Sequence, residues 1–320
     1  MTTKVMYPAN KRATHHKLRK SLNNFKHSWQ LYLIILLPLI YLIVFKYVPM
    51  YGVQIAFKKY SASHGIMGSK WVGLYQFNRL FNSPQFYKIL SNTFLLSIYN
   101  IIANFPVPII LALALNTVRS KFYKKTVQMV TYLPHFISTV VMVGIILQVF
   151  NPRIGLYGKA MEFFGLNAVD LIGSPAAFPH LYVWSGIWQN AGWNSIIYLA
   201  ALSSVDIQQH EAAIIDGASR FQCMIHIDIP AIMPTAIVLL IMNTGQMMNI
   251  GFEKVLLMQN DLNISASEII STYSYKIGLS IGGGDFSYGA AIGLLNSVIN
   301  FVLLVSVNFI ARKVSETSLW

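Results

Sequence analysis

Four carboxylates, Asp206, Glu211, Asp216 and Asp228, fall between Ser203 and Pro234, a stretch in which Arg220 is the one Lys or Arg. No nucleophile or base accompanies them at a catalytic spacing, so their chemistry is electrostatic: an acidic surface steers and registers a basic partner. A second group is built of amides. Asn243, Gln246, Asn249 and Glu253 recur at intervals of three, three and four, which on one continuous helix makes a polar stripe. Amides both donate to and accept from hydroxyl groups. Trp184 and Trp188 stand one helical turn apart, with Gln189, Asn190 and Trp193 nearby, and tryptophan faces stack on the apolar C–H faces of sugar rings. Asn296 and Asn300 repeat the one-turn spacing close to the C-terminus. A plainer reading stays open for all of these, because amides also bond helix to helix and tryptophans also fill space or mark a lipid interface.

Other chemistries are poorly supported. The single cysteine, Cys223, excludes an internal disulfide framework and any multi-cysteine metal site. The eight histidines never form His-Glu-x-x-His, and no Gly-x4-Gly-Lys-Ser/Thr phosphate loop exists. The nearest approach, Gly158-Lys159, has Arg153 where the first glycine belongs and Ala160 in place of the hydroxyl. The chain is therefore expected to bind no cofactor and no metal, and any ATP that drives it must sit on another chain. No nucleophile and base constellation supports an intramembrane enzyme.

The elements that carry these residues are apolar. With 320 residues, 55% hydrophobic, 11% charged and a mean hydropathy of +0.51, the chain has more apolar surface than a soluble globule can bury. Apolar segments at Leu31 to Met50, Leu90 to Leu115, Met129 to Phe150, Leu181 to Leu202, Thr235 to Met258 and Tyr288 to Ile310 predict an all-α polytopic membrane protein of about six transmembrane helices. The net charge of +13 does not point to nucleic acid, since the basic residues flank apolar runs rather than interleave with aromatics. Seven Lys or Arg and no acid before Leu31 keep a tail of residues 1–30 cytoplasmic, ahead of a membrane domain spanning 31–310. Six crossings return a short tail, 311–320, to the same side.

Local signals refine this plan. Pro106 and Pro108 predict a kink in the second helix beside Asn104. Trp71, Tyr75, Phe77, Phe81 and Phe86 suit an outer element at the lipid headgroups. Gly282, Gly283 and Gly284 predict an outer turn. Gly289 and Gly293 make a Gly-x-x-x-Gly face, read as packing against another permease half. In the acidic loop of 203–234, Asp206 is placed to cap a helix from Gln208 to Ile215. Gly217 breaks it from a second helix, Ala218 to Ile227, and Pro230 and Pro234 interrupt the chain before the fifth membrane helix.

That loop reads Glu211-Ala212-Ala213, three residues, Gly217, and after a further run Ile227-Asp228-Ile229-Pro230, with Pro234 beyond. It resembles the hallmark of the binding-protein-dependent permeases of type I ABC importers, departing only in Ile229 where leucine is usual. The segments Lys46-Tyr47-Val48-Pro49-Met50-Tyr51-Gly52 and Gly251-Phe252-Glu253-Lys254-Val255 look like the oligosaccharide branch of that family. The resemblance implies a coupling helix between the fourth and fifth membrane helices, with Glu211, Ala212, Ala213, Asp216 and Gly217 at the contact with an ATPase subunit. It further implies a bacterial cell-membrane complex of this permease, a second homologous permease, two ATPase subunits carrying ATP and Mg, and an extracytoplasmic sugar-binding lipoprotein.

The cargo implied is an oligosaccharide moved by alternating access, along a pathway for which Trp184, Trp188, Gln189, Asn243, Gln246, Asn249, Glu253, Asn296 and Asn300 are the candidates. Anionic cargo would call for buried Arg or Lys, and the middle of the helices holds none, which leans toward neutral or weakly charged saccharides. The rivals are a permease of the same kind for another small solute and a stand-alone secondary transporter. The latter predicts inverted repeats and an intramembrane ionisable couple, and neither is visible.

Overall fold

The computed structural model describes residues 28–279 and 284–314. Nearly all of the basic tail, the last six residues, and Gly282 and Gly283 of the expected outer turn lie outside the described residues. The chain divides into two units, Met1–Gln54 and Ile55–Trp320.

The first unit holds helix α1 (Trp29–Leu42), which passes through a π turn at Ile43–Tyr47 into further helical turns, so that Trp29–Phe57 is one apolar span. None of the residues of α1 is buried. A helix that is apolar on every side suits lipid, and this span is long enough at 29 residues to cross a bilayer.

In the second unit a short antiparallel ribbon, β1 (Lys58–Lys59) with β2 (Lys70–Trp71), precedes the helices. Helices α2 (Pro84–Asn104) and α3 (Pro106–Thr117) together form a 34-residue span that stays helical through Phe105. Prolines 106 and 108 donate no backbone hydrogen bond, which sets the expected break at Asn104. Helix α4 (Lys121–Tyr132) begins at a Ser120 cap and leads through a 3-10 turn to α5 (Thr139–Val149), capped by Ser138. The two are bent by 101°, so the expected third span from Met129 to Phe150 is not one continuous helix: Pro134 and the extended Ile137 end one helix before the next begins.

Helix α6 (Phe178–Ser203) is the central post, packing against α2, α3 and α4. Beyond it come α7 (Ile207–Ile215), α8 (Arg220–Cys223), α9 (Ile229–Gly245), α10 (Phe252–Met258), α11 (Ile270–Leu279) and α12 (Phe286–Val314). Helix α8 does not stand alone. A π turn at Met224–Asp228, in which Ile229 N–H reaches Met224 O, joins it to α9 in one span, Arg220–Gly245. Pro230 directly follows the π turn and Pro234 lies inside α9, yet the helix continues through both, so neither interrupts the chain as expected.

The expected fifth span, Thr235 to Met258, is corrected too. The helix stops at Gly245, a 3-10 turn covers Met247–Asn249, Gly251 takes a positive φ, and α10 starts afresh. Among the described residues four helices are long and apolar enough to cross a membrane, and five if α4 and α5 count as one bent span. Helix α6 has the length, 26 residues, but its Ser, Asn, Gln and Trp content dilutes its apolar character.

Three apolar clusters hold the second unit together. One joins Leu96 of α2 to Met142 of α5, Val183 and Ile187 of α6, and Val255 of α10. The second gathers Leu80, Phe86, Ile270 and Ile292, so Phe86, 2% exposed, is core and not the interfacial ring expected of it. The third, with Leu113, Tyr198, Ile232 and Ala236, packs α3, α6 and α9 toward the acidic loop. Gly289 faces Gly278 of α11 within this chain, and an added Cβ there would sit 3.1 Å from its Cα. That contact occupies Gly289 within this chain, whereas nothing lies within 4 Å of a Cβ added at Gly293.

Candidate functional site

Helices α2, α3, α6 and α9 surround a cleft of about 790 Å³, within the range of small-molecule sites. Its polar wall comes from Asn100 and Asn104 at the proline break, Asn194 on α6, and Asn243 and Gln246 where α9 ends. Its rings are Phe105, Tyr182, Trp193 and Tyr198. Trp193, Asn194 and Asn243 remain exposed, so the cleft is an open trough in this chain. Amides with free valences beside aromatic faces suit a polyhydroxylated ring, which needs both hydroxyl partners and an apolar platform. Trp193 is fixed by stacking on His135 at 4.5 Å, and His135 is in turn paired with Asn190 Oδ1 at 3.0 Å.

The expected pathway residues divide. Asn243 and Gln246 line the cleft. Asn249, Asn296 and Asn300 instead hold the break that ends α9: Asn296 Nδ2 donates to Asn249 Oδ1 at 2.8 Å, Asn249 Nδ2 to Gln246 Oε1 at 3.0 Å, and Met248 N–H to Asn300 Oδ1 at 2.9 Å. Ser97 Oγ adds a donor to Met247 O at 2.6 Å. Asn300 and Ser97 thereby replace main-chain partners lost where the helix stops, and Asn296, Asn249 and Gln246 bond one another beside them; irregular backbone inside a membrane domain must find such partners.

Glu253 lies on α10, exposed and beyond the break, so the expected four-residue stripe does not exist as one helix face. Trp184 and Trp188 are 57% and 55% exposed and stay out of the cleft. Gln189 Nε2 is spent on Ile137 O at 2.8 Å, supporting the bend between α4 and α5.

Sequence reasoning missed Asn100, Asn194, Tyr182 and Tyr198 as cleft residues. The signal available was the one-turn pair Asn100 and Asn104, two amides in the middle of an apolar span. The burial of one cation was not expected: Lys254 is 9% exposed, donates from Nζ to Tyr182 O at 2.9 Å, and lies 4.8 Å from the centroid of the Tyr182 ring.

The acidic loop forms the second candidate surface. Asp206 Oδ1 accepts from Gln208 N–H at 2.9 Å and starts α7, whose end is turned by Gly217 at φ +85°. Ser219 and Gln222 then exchange a capping box that starts α8. Glu211, Ala212, Asp216 and Gly217 are exposed, with Ala213 partly so. Ile207, Ile214 and Ile215 are 72%, 63% and 86% exposed, an apolar strip on a nine-residue helix with no buried residue. Such a strip beside carboxylates is the composition of a docking face.

At the other end of the molecule, Arg79 pairs with Asp285 at 2.5 Å and lies 4.3 Å from the Tyr288 ring centroid, the carboxylate holding its guanidinium above the ordinary value. Both partners are well exposed, so the pair adds little stability.

Comparison with known proteins extends these observations. The family model "Binding-protein-dependent transport system inner membrane component" matches residues 104–316. Protein LplB of Bacillus subtilis (strain 168) is 42% identical over 295 residues, 92% of each chain. The polygalacturonan/rhamnogalacturonan transport system permease protein YteP of the same organism is 43% identical over 290 residues, 91% of this chain and 90% of that one. Among solved structures, a chain of a bacterial alginate ABC transporter, crystallised in complex with an alginate pentasaccharide-bound periplasmic protein, aligns with a TM-score of 0.85. It is 36% identical and covers 93% of this chain and 99% of its own.

Proposed function

Because the chain belongs to the inner membrane components of binding-protein-dependent transport systems, and so is a multi-pass transport permease rather than a catalytic enzyme, we propose that it carries an oligosaccharide across the membrane as half of an ATP-driven importer. The observation that carries this reading is the cleft of about 790 Å³ with its amides and aromatic rings. In the proposed complex a second permease closes the open side of the trough, ATPase subunits dock on the exposed face of α7, and an extracytoplasmic binding protein delivers the cargo. Glu211, Ala212, Ala213, Asp216 and Gly217 form the ATPase contact, and the tail and the acidic loop lie on the cytoplasmic side. Six crossings follow when α6 and the bent pair α4 and α5 are both counted as spans. Alternating access arises because the bundle has two packings and the partner's nucleotide state favours one of them.

Among saccharides, the acidic ones are favoured by Lys254, a buried cation behind the Tyr182 wall of the cleft, which reverses the lean toward neutral cargo. Relatives named for alginate and for polygalacturonan point the same way.

The test is to tag the chain at its C-terminus, solubilise native membranes mildly and identify by mass what co-purifies. Recovery of an ATPase, a second permease and a binding lipoprotein is expected. Recovery of this chain alone, where a known importer stays intact, would return the secondary transporter as the better reading. The lipoprotein is then titrated calorimetrically with oligogalacturonate and with a neutral oligosaccharide of equal length, and preference for the neutral one would discard the acidic assignment.

A further inference from the structure

Among the described residues, helix α7 is tied to the fifth span by one polar side-chain contact, between partly exposed His210 and the buried carboxylate of Asp228. His210 Nε2 lies 3.1 Å from Asp228 Oδ1, and the Asp228 side chain is 5% exposed. Among the described residues this is the side-chain hydrogen bond that joins α7 to the span α8–α9, eighteen residues on. Along the main chain α7 is connected through the Gly217 turn on one side and Ser204–Asp206 on the other, and Ala213 of α7 lies beside Cys223 and Ile227 of the span.

The π turn is what puts the carboxylate there. Cys223, Asp228, Ile232 and Ala236 are the buried positions along the start of this span, at intervals of five, four and four. In an unbroken α-helix the residue in line with Cys223 would be Ile227; the extra residue of the π turn brings Asp228 onto the buried face instead. A carboxylate removed from water is costly unless it is paired, so Asp228 favours the position of α7 that presents His210.

We propose that His210 and Asp228 form a strut that passes displacement of α7 directly to the fifth span, and that His210 is a positioning residue for energy coupling. The inference rests on the reading of α7 as the ATPase contact. Without the strut, a push on α7 is absorbed by rotation at Gly217, whose φ lies where only glycine moves freely. With it, α7 and the end of α9 that carries Asn243 and Gln246 move as one body.

The test needs no identified cargo. The complete complex, reconstituted in proteoliposomes with Cys223→Ser, carries one reporter, Asn243→Cys, whose labelling by an impermeant maleimide is timed with and without ATP and vanadate. A separate preparation with Ile215→Cys reports crosslinking of α7 to the ATPase. His210→Ala is expected to keep the crosslink while the nucleotide-driven change in labelling rate falls about tenfold, the scale of a typical coupling energy. His210→Gln, which retains a donor for Asp228, is expected to keep both. A full labelling response in His210→Ala with the crosslink intact would overturn the strut alone. Loss of the crosslink in that variant would also overturn it and place His210 in the docking contact. Absence of the crosslink in the chain with native His210 would remove the coupling reading itself.

Discussion

At the scale of single residues, identical side chains do different work according to which partner the main chain leaves them. Asn243 and Asn300 are both membrane-domain asparagines, yet Asn243 lines the cleft and Asn300, 8% exposed, accepts from Met248 N–H. Asn300→Leu orphans that buried amide at a cost of about 1–3 kcal/mol, so the solubilised chain should melt several degrees lower. Asn243→Leu should leave the melting point alone and lower uptake of the cargo. Equal melting points with equally impaired uptake would return Asn300 to the cargo pathway. Sequence spacing could not separate the two, because it records where amides recur and not which backbone donors have lost their helical partners. The same blindness left Trp193, which its stack on His135 places at the cleft, behind Trp184 and Trp188, which do not line it.

At the scale of elements, the two ends of α7 were legible because caps and turns are written in a few residues, Asp206 and Gly217, whereas the Ser219 cap and the π turn that carries the next helix through Pro230 were not. Nor was the end of the fifth span. Met247, Met248 and Ile250 keep the hydropathy high straight through the break, and only Gly245 and Gly251 mark it. Glycine also sets how closely elements approach. At Gly192 of α6 an added Cβ would run into the Thr131 carbonyl oxygen of α4, whereas at Gly293 of α12 nothing lies within 4 Å. Gly192→Ala should therefore destabilise the fold by about 1–3 kcal/mol through forced separation of two helices. Gly293→Ala should be neutral or slightly stabilising by its helix propensity. Thermal unfolding of both variants in detergent checks this, and a tolerant Gly192 would mean that α4 is free to shift away from α6.

At the scale of the whole molecule, the orientation assigned from the basic tail makes a direct prediction. In a Cys223→Ser chain, a cysteine at Ser63, beside the β1–β2 ribbon, should react with an impermeant maleimide added to intact cells. One at Ser204, before α7, should react only after the membrane is opened. The reverse pattern would invert the topology and with it the place of the ATPase. The open trough has a consequence of its own for how the protein is made. A groove lined by Asn100, Asn194 and Gln246 that faces hydrocarbon instead of a companion presents unsatisfied polar groups to lipid. Such a surface is what membrane quality control removes, so in the proposed complex the stoichiometry of this chain and a second permease can be enforced by turnover instead of by matched synthesis. Pulse-chase of this chain in cells lacking the second permease should show a markedly shortened half-life, restored when the companion is supplied; an unchanged half-life would mean that the groove closes on itself while it waits.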